Sequence, residues 1–353
     1  MVSSTLLAMI RCPECRNPLI ERSDDAALVC GGCQRRYPRG EGGFLDLRPE
    51  IEFTEQTKYL DQALHADARH ERVSPPLLGS KIRNDMLRRF LAPTPDDRVV
   101  DLGCGSGRAL LWNRDWHATT LGVDIAPFFS SNALATIDLL LADLRKLPFA
   151  DGTFTKAYSL DVLEHLSPEA LRAMLAEANR VLAPGGSLFI YTHVRKNARI
   201  AKGLRAINAL AESLERAGLI DLRQERLRKS DHLNPLADIP ELEAVVDASG
   251  FRVARIRYYT PLVGGFVENV LMRMAERAMA RRAAKRLAAA GVPDVGGASI
   301  REARTTAKTR IAESPATRAA LQSLSFAMKL DLLLFGRVRS GPFFALLTKT
   351  RNV

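Results

Sequence analysis

Four of the five cysteines in this 353-residue chain stand in two closely spaced pairs near its beginning. Cys12 and Cys15 form one C-x-x-C pair, Cys30 and Cys33 form the other, and fourteen residues separate the pairs. Two such pairs can present four thiolates to one tetrahedral ion, and the intervening segment suits a short hairpin. Because four thiolates leave no open coordination position, we predict a structural Zn²⁺ ion rather than a catalytic one.

A second group of chemically suggestive residues begins at Asp101, the acid that ends an apolar, strand-like run. The alternating glycines Gly103, Gly105 and Gly107 follow it and precede a helix-prone segment. Glycine lets a backbone turn sharply and approach a ligand closely, and a helix start offers N–H groups to an anion. The spacing matches neither the G-x-G-x-x-G of dinucleotide sites nor the Gly-Lys-Ser/Thr of phosphate loops.

Two further acids follow later apolar runs. Asp124 ends the run 118–124, and Asp143 follows the run 138–142. An acid at the end of the second strand of such a fold can accept hydrogen bonds from ribose hydroxyls. Asp124 therefore favours an adenosine-containing ligand, and Asp101, Asp124 and Asp143 place acids at three successive strand ends.

The spacing D-x-G-x-G-x-G resembles the first motif of class I S-adenosylmethionine (SAM) methyltransferases of the type 11-like group. The segment D-L-R-K-L-P-F at 143–149 resembles the third motif of that family, V-L-E-H-L at 162–166 the fourth, and R-V-L-A-P-G-G-S-L-F-I at 180–190 a later one. Thr155 departs from the pattern, since many relatives carry Asp there. The resemblance implies SAM as cofactor, bound by Asp101, Gly103, Cys104, Gly105, Gly107, Asp124, Ile125, Asp143, Leu144, Ser159 and Leu160.

Two histidines are candidates for a general base. The passage from His232 to Phe251 resembles a passage of small-molecule methyltransferases in which a histidine often lies beside the acceptor. His165, within V-L-E-H-L, is the second candidate. A purely structural role for both imidazoles remains an alternative.

The resemblance also implies an α/β fold with a Rossmann-like seven-stranded sheet flanked by helices. We divide the chain into a zinc ribbon at 1–52, a helical lid or linker at 53–95, and a methyltransferase domain at 96–353. The ribbon resembles the small Trm-type ribbons that precede some methyltransferases. A helical insertion at about 260–340 precedes an antiparallel closing strand. Within the lid segment, Tyr59 and His65 are interpreted as surface or packing residues.

The bulk properties bear on partners and location. A net charge of +11 favours an anionic partner, either a nucleic acid or a membrane surface. No apolar run approaches the ~20 residues of a spanning helix, and the first residues do not resemble a signal peptide, so we expect a cytoplasmic protein. Apolar segments flanked by arginines in the insertion fit peripheral contact with an anionic membrane, packing over the substrate pocket, or packing against a second subunit. The sequence does not indicate an oligomeric state.

Two classes of methyl acceptor remain open. The V-L-E-H-L segment and the long insertion favour a small molecule, a sugar or a lipid-linked intermediate. The ribbon and the basic charge favour ribosomal RNA methylated at a guanine nitrogen, since lysine and arginine neutralise phosphates. A non-catalytic protein that binds only SAM or a partner is a third hypothesis.

Overall fold

The computed structural model describes residues 3–21, 27–40, 42–50, 73–195, 200–223, 225–226, 232–233, 235–291, 314–339 and 341–353, together with 297, 299, 302–303, 306–307 and 310. The first part of the predicted lid, including Tyr59 and His65, lies outside these residues.

The N-terminal module begins with helix α1 (Ser4–Met9), whose first turn is capped by the hydroxyl of Ser3. A small antiparallel sheet follows in the order β1-β2-β3. The hairpin expected between the cysteine pairs is present, because β1 pairs antiparallel with β2. The bounds of the three strands are Leu19–Glu21 for β1, Leu28–Cys30 for β2 and Arg36–Tyr37 for β3.

The predicted seven-stranded sheet forms the centre of the chain, in the order β10-β11-β9-β8-β5-β6-β7. The strands β5 to β9 run parallel to one another, and β11 is antiparallel to both of its neighbours. The antiparallel direction of β11 confirms the antiparallel closing strand expected from the sequence. The strand bounds are Arg98–Leu102 (β5), Thr119–Asp124 (β6), Asp138–Leu141 (β7), Phe154–Leu160 (β8), Leu182–His193 (β9), Phe251–Tyr258 (β10) and Pro342–Lys349 (β11).

An eighth strand joins this sheet from the N-terminal module. Strand β4 (Leu45–Asp46) pairs parallel with β7, with Leu45 opposite Leu140. The amide of Leu47 extends the pairing with a 2.9 Å hydrogen bond to the carbonyl of Leu141. The segment that we assigned to the ribbon therefore contributes a strand to the central sheet.

Helices cover both faces of the sheet. Successive residues of β5 point to opposite faces, so Val100 lies in one apolar cluster and Val99 in the other. The helix bounds are Gly79–Leu91 (α2), Arg108–Trp112 (α3), Ser131–Leu134 (α4), Pro168–Val181 (α5), Ala201–Arg216 (α6) and Ile239–Ala248 (α7). Strand β9 begins at Leu182, which pairs with Phe154 of β8, and regular pairing resumes at Ser187 after an irregularity in register.

The predicted insertion is helical where it is described. It contains α8 (Leu262–Phe266), a π-helical turn (Val267–Leu271), α9 (Met272–Ala289) and α10 (Pro315–Phe335). Two of its side chains bind the start of α2: Ser325 accepts from the amide of Leu78 at 2.7 Å, and Glu268 accepts from the amide of Gly79 at 3.0 Å. The insertion therefore holds α2 in place. Among the described helices, none is both long and apolar enough to cross a bilayer.

Candidate functional site

A cavity of about 650 Å³ opens at the carboxyl ends of the parallel strands β5 to β8. Helix α2 closes one side of it with Ser80, Arg83 and Asn84. The turn after β8 and the start of α3 form other parts of its wall. Nine of the eleven residues predicted to bind the cofactor line it, and so does one predicted histidine: Asp101, Gly103, Cys104, Gly105, Asp124, Ile125, Asp143, Leu144, Leu160 and His165.

The glycines of the first turn meet different surroundings. All three have positive φ, which L side chains rarely adopt. A Cβ atom at Gly103 would lie 2.4 Å from a methyl group of Val162, whereas a Cβ at Gly105 would meet no atom within 4 Å. The open space at Gly105 is therefore available to a ligand that approaches the backbone.

Gly107 and Ser159 are the two predicted cofactor residues that do not line the cavity. Gly107 caps α3, and a Cβ there would lie 2.7 Å from that of Ala133, so glycine permits close packing between α3 and α4. The hydroxyl of Ser159 is buried and donates to the carbonyl of Leu102 at 2.7 Å. Both residues thus have structural partners behind the cavity wall.

Asp124 connects the end of β6 to the glycine turn. Its Oδ2 accepts a hydrogen bond from the amide of Gly105 at 2.7 Å, and its Oδ1 accepts one from the amide of Ala126 at 3.0 Å. Burial raises the pKa of Asp124, while these backbone amides act in the opposite direction. Each carboxylate oxygen keeps a further lone pair that could accept from a ligand hydroxyl.

The other two predicted acids are more deeply buried. Burial, with a contribution from Asp124, raises the pKa of Asp101 well above its usual range. Asp143 instead forms a bidentate ion pair with Arg145, whose Nη2 lies 2.7 Å from Oδ2. Arg145 also lines the cavity, although it was not predicted to do so. Its position two residues after Asp143 is the sequence feature that could have indicated it. Burial raises the pKa of the Cys104 thiol, so this cysteine is not a thiolate nucleophile.

The two predicted histidines lie together although they are distant in sequence. The imidazole rings of His165 and His232 are 4.7 Å apart between centroids and perpendicular to each other. The ring of His193, at the end of β9, lies 5.6 Å from that of His232. His165 lines the cavity directly, whereas His232 lies behind it and its neighbour Leu233 reaches the wall.

Glu164 completes this cluster and was not predicted from the sequence. Its side chain is buried, its Oε2 accepts from the hydroxyl of Thr192 at 2.9 Å, and its Oε1 lies 4.0 Å from Nδ1 of His193. Burial, reinforced by the nearby Asp161 carboxylate, raises the pKa of Glu164 to about 8. The sequence feature that could have indicated Glu164 is its position immediately before His165.

A charged pair joins α2 to the turn after β8. The Nε atom of Arg83 is 3.3 Å from a carboxylate oxygen of Asp161, and its guanidinium stands over the ring of Tyr191 at 5.6 Å. Asp161 has φ of 56°, a strained conformation for a residue other than glycine. Arg83 therefore places a positive charge in the cavity wall on the side of the histidines.

The four cysteines of the N-terminal module converge on one point. The Sγ atoms of Cys12 and Cys33 are 3.7 Å apart and those of Cys15 and Cys30 are 3.3 Å apart. Tetrahedral Zn–S bonds of about 2.3 Å imply Sγ separations of about 3.8 Å, so the thiols fit a single ion. The hydroxyl of Tyr37 lies 3.0 Å from Sγ of Cys12, which supplies outer-shell support.

Two family models match parts of the chain. Residues 100–190 match the family described as a methyltransferase domain, and residues 3–38 match the Trm112p-like protein family. Over 121 residues the chain is 36% identical to "Probable tRNA methyltransferase 9B" of Mus musculus. This alignment covers 33% of this chain and 27% of that protein. Over 107 residues it is 33% identical to "Sterol 4-C-methyltransferase strm-1" of Caenorhabditis elegans, covering 28% and 31%.

Among solved structures, the chain is similar to phosphoethanolamine N-methyltransferase 2 of Haemonchus contortus with SAM, at 16% identity and a TM-score of 0.47. That match covers 90% of this chain and 62% of the other. The chain spans less than a third of the length of the two curated relatives named above.

Proposed function

Since this chain joins a Trm112p-like domain to a methyltransferase domain, we propose that it transfers the methyl group of SAM to an oxygen atom of a small-molecule, sugar or lipid-linked acceptor. The main support for this proposal is that a single cavity is lined both by the residues predicted to bind SAM and by His165. Its wall holds the glycine turn with Asp124 and Asp143 on one side, and His165 on the other.

The first side suits the cofactor. When bound, SAM supplies a methyl group that its sulfonium has already activated. Asp124 would accept from the ribose hydroxyls, Asp143 would accept from the adenine amino group, and the turn from Gly103 to Gly107 would hold the methionine part. The open space beside Gly105 fits a ligand portion that lies against the backbone.

The second side suits an acceptor hydroxyl. Methyl transfer from a sulfonium requires alignment and exclusion of water, and an oxygen acceptor must also lose a proton. The cluster of Glu164, His165 and His232 offers polar atoms for that proton next to the apolar walls formed by Leu160 and Leu166.

RNA is the second candidate acceptor. The names of several relatives specify tRNA, and a Trm112p-like domain occurs here in the same chain as the methyltransferase domain. The net charge of +11 would favour binding to phosphates. The contact with an anionic membrane considered from the sequence is not part of either proposal.

Labelled methyl transfer separates these candidates. The protein is incubated with radiolabelled SAM and either total RNA or an extract of lipids and small molecules, and an Asp124→Asn variant gives the background. We expect label in the extract. Label found only in RNA would overturn the small-molecule proposal, and calorimetry that detects no SAM binding would overturn methyl transfer altogether.

We further propose that Cys12, Cys15, Cys30 and Cys33 hold a structural Zn²⁺ ion. The support is the convergence of four thiols on one point and the fit of their spacing to tetrahedral zinc. A site closed by four protein ligands would stabilise the module without taking part in the reaction.

A further inference from the structure

We propose that Glu164, His165 and His232 form a second metal site, for a divalent transition-metal ion, at the acceptor side of the cavity. One ligand atom from each of these side chains lies within 4.8 Å of the others. The site is separate from the cysteine cluster, which is the only other group of this kind among the described residues.

The donor set suits such an ion. Two imidazoles and one carboxylate are a common ligand set for zinc and for iron(II), and three protein ligands leave a coordination position open. Ligands around a tetrahedral ion with metal–nitrogen bonds of about 2.1 Å lie about 3.4 Å apart. The side chains would therefore close in by small rotations when the ion binds.

The backbone fixes the three ligands relative to one another. Glu164 and His165 are consecutive residues of one 3₁₀ turn, and the amide of Leu233 donates to the carbonyl of Glu164 at 2.8 Å. This bond joins the segment that carries His232 to the turn. A second bond, from the amide of Arg195 to the carbonyl of Leu236 at 3.0 Å, holds the same segment against the end of β9.

The surroundings resemble the outer shell of a metal site. The hydroxyl of Thr192 donates to Oε2 of Glu164, an interaction that orients a ligating carboxylate. The Glu164 side chain is only 4% exposed. Because a carboxylate binds a metal in its deprotonated form, a cation held here would balance the charge of the buried Glu164 carboxylate.

The reaction that such an ion assists depends on the proposed methyl transfer. Since His165 and Leu233 reach the cavity wall, an open coordination position would face the acceptor. An acceptor hydroxyl bound there would have a lower pKa, so the ion would replace the proton-accepting role proposed above for these three side chains, and the proton would leave to water as the acceptor binds. Its oxygen then forms the bond to the methyl carbon, while the sulfur of SAM keeps the electron pair of the broken C–S bond.

Metal stoichiometry tests the site without any measurement of activity. Purified full-length chain is saturated with Zn²⁺, freed of excess ion by gel filtration and analysed by mass spectrometry. We expect two zinc ions per wild-type chain and one in the His165→Asn and His232→Asn variants. His117→Asn is the matched control, because His117 is exposed and lies outside the cavity wall, and we expect two ions there.

A second measurement shows which site is lost. Co²⁺ in a four-thiolate site gives intense thiolate-to-metal absorption, whereas a site with nitrogen and oxygen ligands does not. The histidine variants should keep that absorption, which also shows that the ribbon has folded. A wild-type chain with a single equivalent of metal, or variants that bind as much metal as wild type, would overturn the proposal. Two equivalents without methyl transfer to any acceptor would leave the site standing and refute the proposed function instead.

Discussion

The backbone amide of Gly105 donates a 2.7 Å hydrogen bond to Oδ2 of Asp124, and so joins the turn after β5 to the end of β6. Asp124, which is predicted to bind the ribose of SAM, therefore also positions Gly105, which is predicted to contact the methionine part of SAM. Two motifs that are nineteen residues apart act as one structural unit.

Replacing Asp124 by Asn should weaken SAM binding by roughly 10- to 100-fold. A charged acceptor is lost, and hydrogen bonds to charged groups contribute about 1.5–3 kcal/mol. The amide nitrogen that replaces one carboxylate oxygen also cannot accept from the backbone amide of Gly105 or Ala126, which loosens the glycine turn. Calorimetric titration with SAM measures the effect. Asp138→Asn is the matched control, since Asp138 is exposed at the start of β7. Equal affinities in the two variants would contradict the assignment of Asp124.

Two alanine substitutions should separate folding from binding within the glycine turn. Gly105→Ala meets no atom within 4 Å, so it should cost only the backbone strain of about 1–2 kcal/mol and should still weaken SAM binding. Gly103→Ala brings a Cβ atom to 2.4 Å from Val162 and should lower the free energy of unfolding further. Denaturant unfolding and SAM titration on both variants test this, and the reverse order of stability would contradict it.

Removing the metal from the cysteine cluster should destabilise more than the N-terminal module. Strand β4 pairs with β7, and the amide of Arg11 donates to the carbonyl of Pro148 at 2.9 Å, so the module is attached to the central sheet. We expect Cys30→Ser to lower the melting temperature of the whole chain in calorimetry. A separate transition for the module, with the main one unchanged, would argue against this coupling. Chelation followed by re-addition of Zn²⁺ to wild type is the control for reversibility.

Asp97 should contribute to stability in a defined range of acidic pH. Burial raises its pKa, but hydrogen bonds from Thr155, Thr94 and Lys156 outweigh burial and lower it to about 2 from 3.8. Because the folded-state pKa is depressed, the contribution is present above pH 3.8 and is lost as the pH falls towards 2. After solvent screening it amounts to about 1–2 kcal/mol.

The measurement for Asp97 is urea unfolding between pH 2 and pH 6. Asp97→Asn should reduce the difference in stability across this range, whereas Asp96→Asn, at the exposed neighbouring position, should leave it unchanged. A pH dependence that is the same in both variants would mean that other carboxylates dominate acid unfolding.

The sequence predicts the central sheet and much of the cavity because both depend on local pattern. Apolar runs identify the buried strands, and an acid at a strand end must lie at the carboxyl edge of a parallel sheet. This is why Asp101, Asp124 and Asp143 could be expected near one another before any coordinates were known. The two cysteine pairs are equally local, since their spacing alone suits a tetrahedral ion.

Features that depend on packing between distant segments could not be predicted. Strand β4 has only two residues, too few to show any periodicity, and its partner β7 lies more than ninety residues later. Arg83 reaches the cavity because α2 packs on the sheet and is bound at its start by the insertion. His193 and Glu164 join His165 and His232 because β9 ends beside the turn after β8. No spacing along the chain encodes that proximity.

Strand β4 has a consequence for handling the protein. Leu139, Leu140 and Leu141 of β7 are apolar and extended, and without β4 their free peptide groups would border solvent at the rim of the sheet. Such a rim is a template for intermolecular strand addition and aggregation. Because β4 is tethered in the same chain, its protection of that rim does not weaken on dilution. A truncated chain that starts after residue 52 would therefore face a solubility problem before any catalytic one.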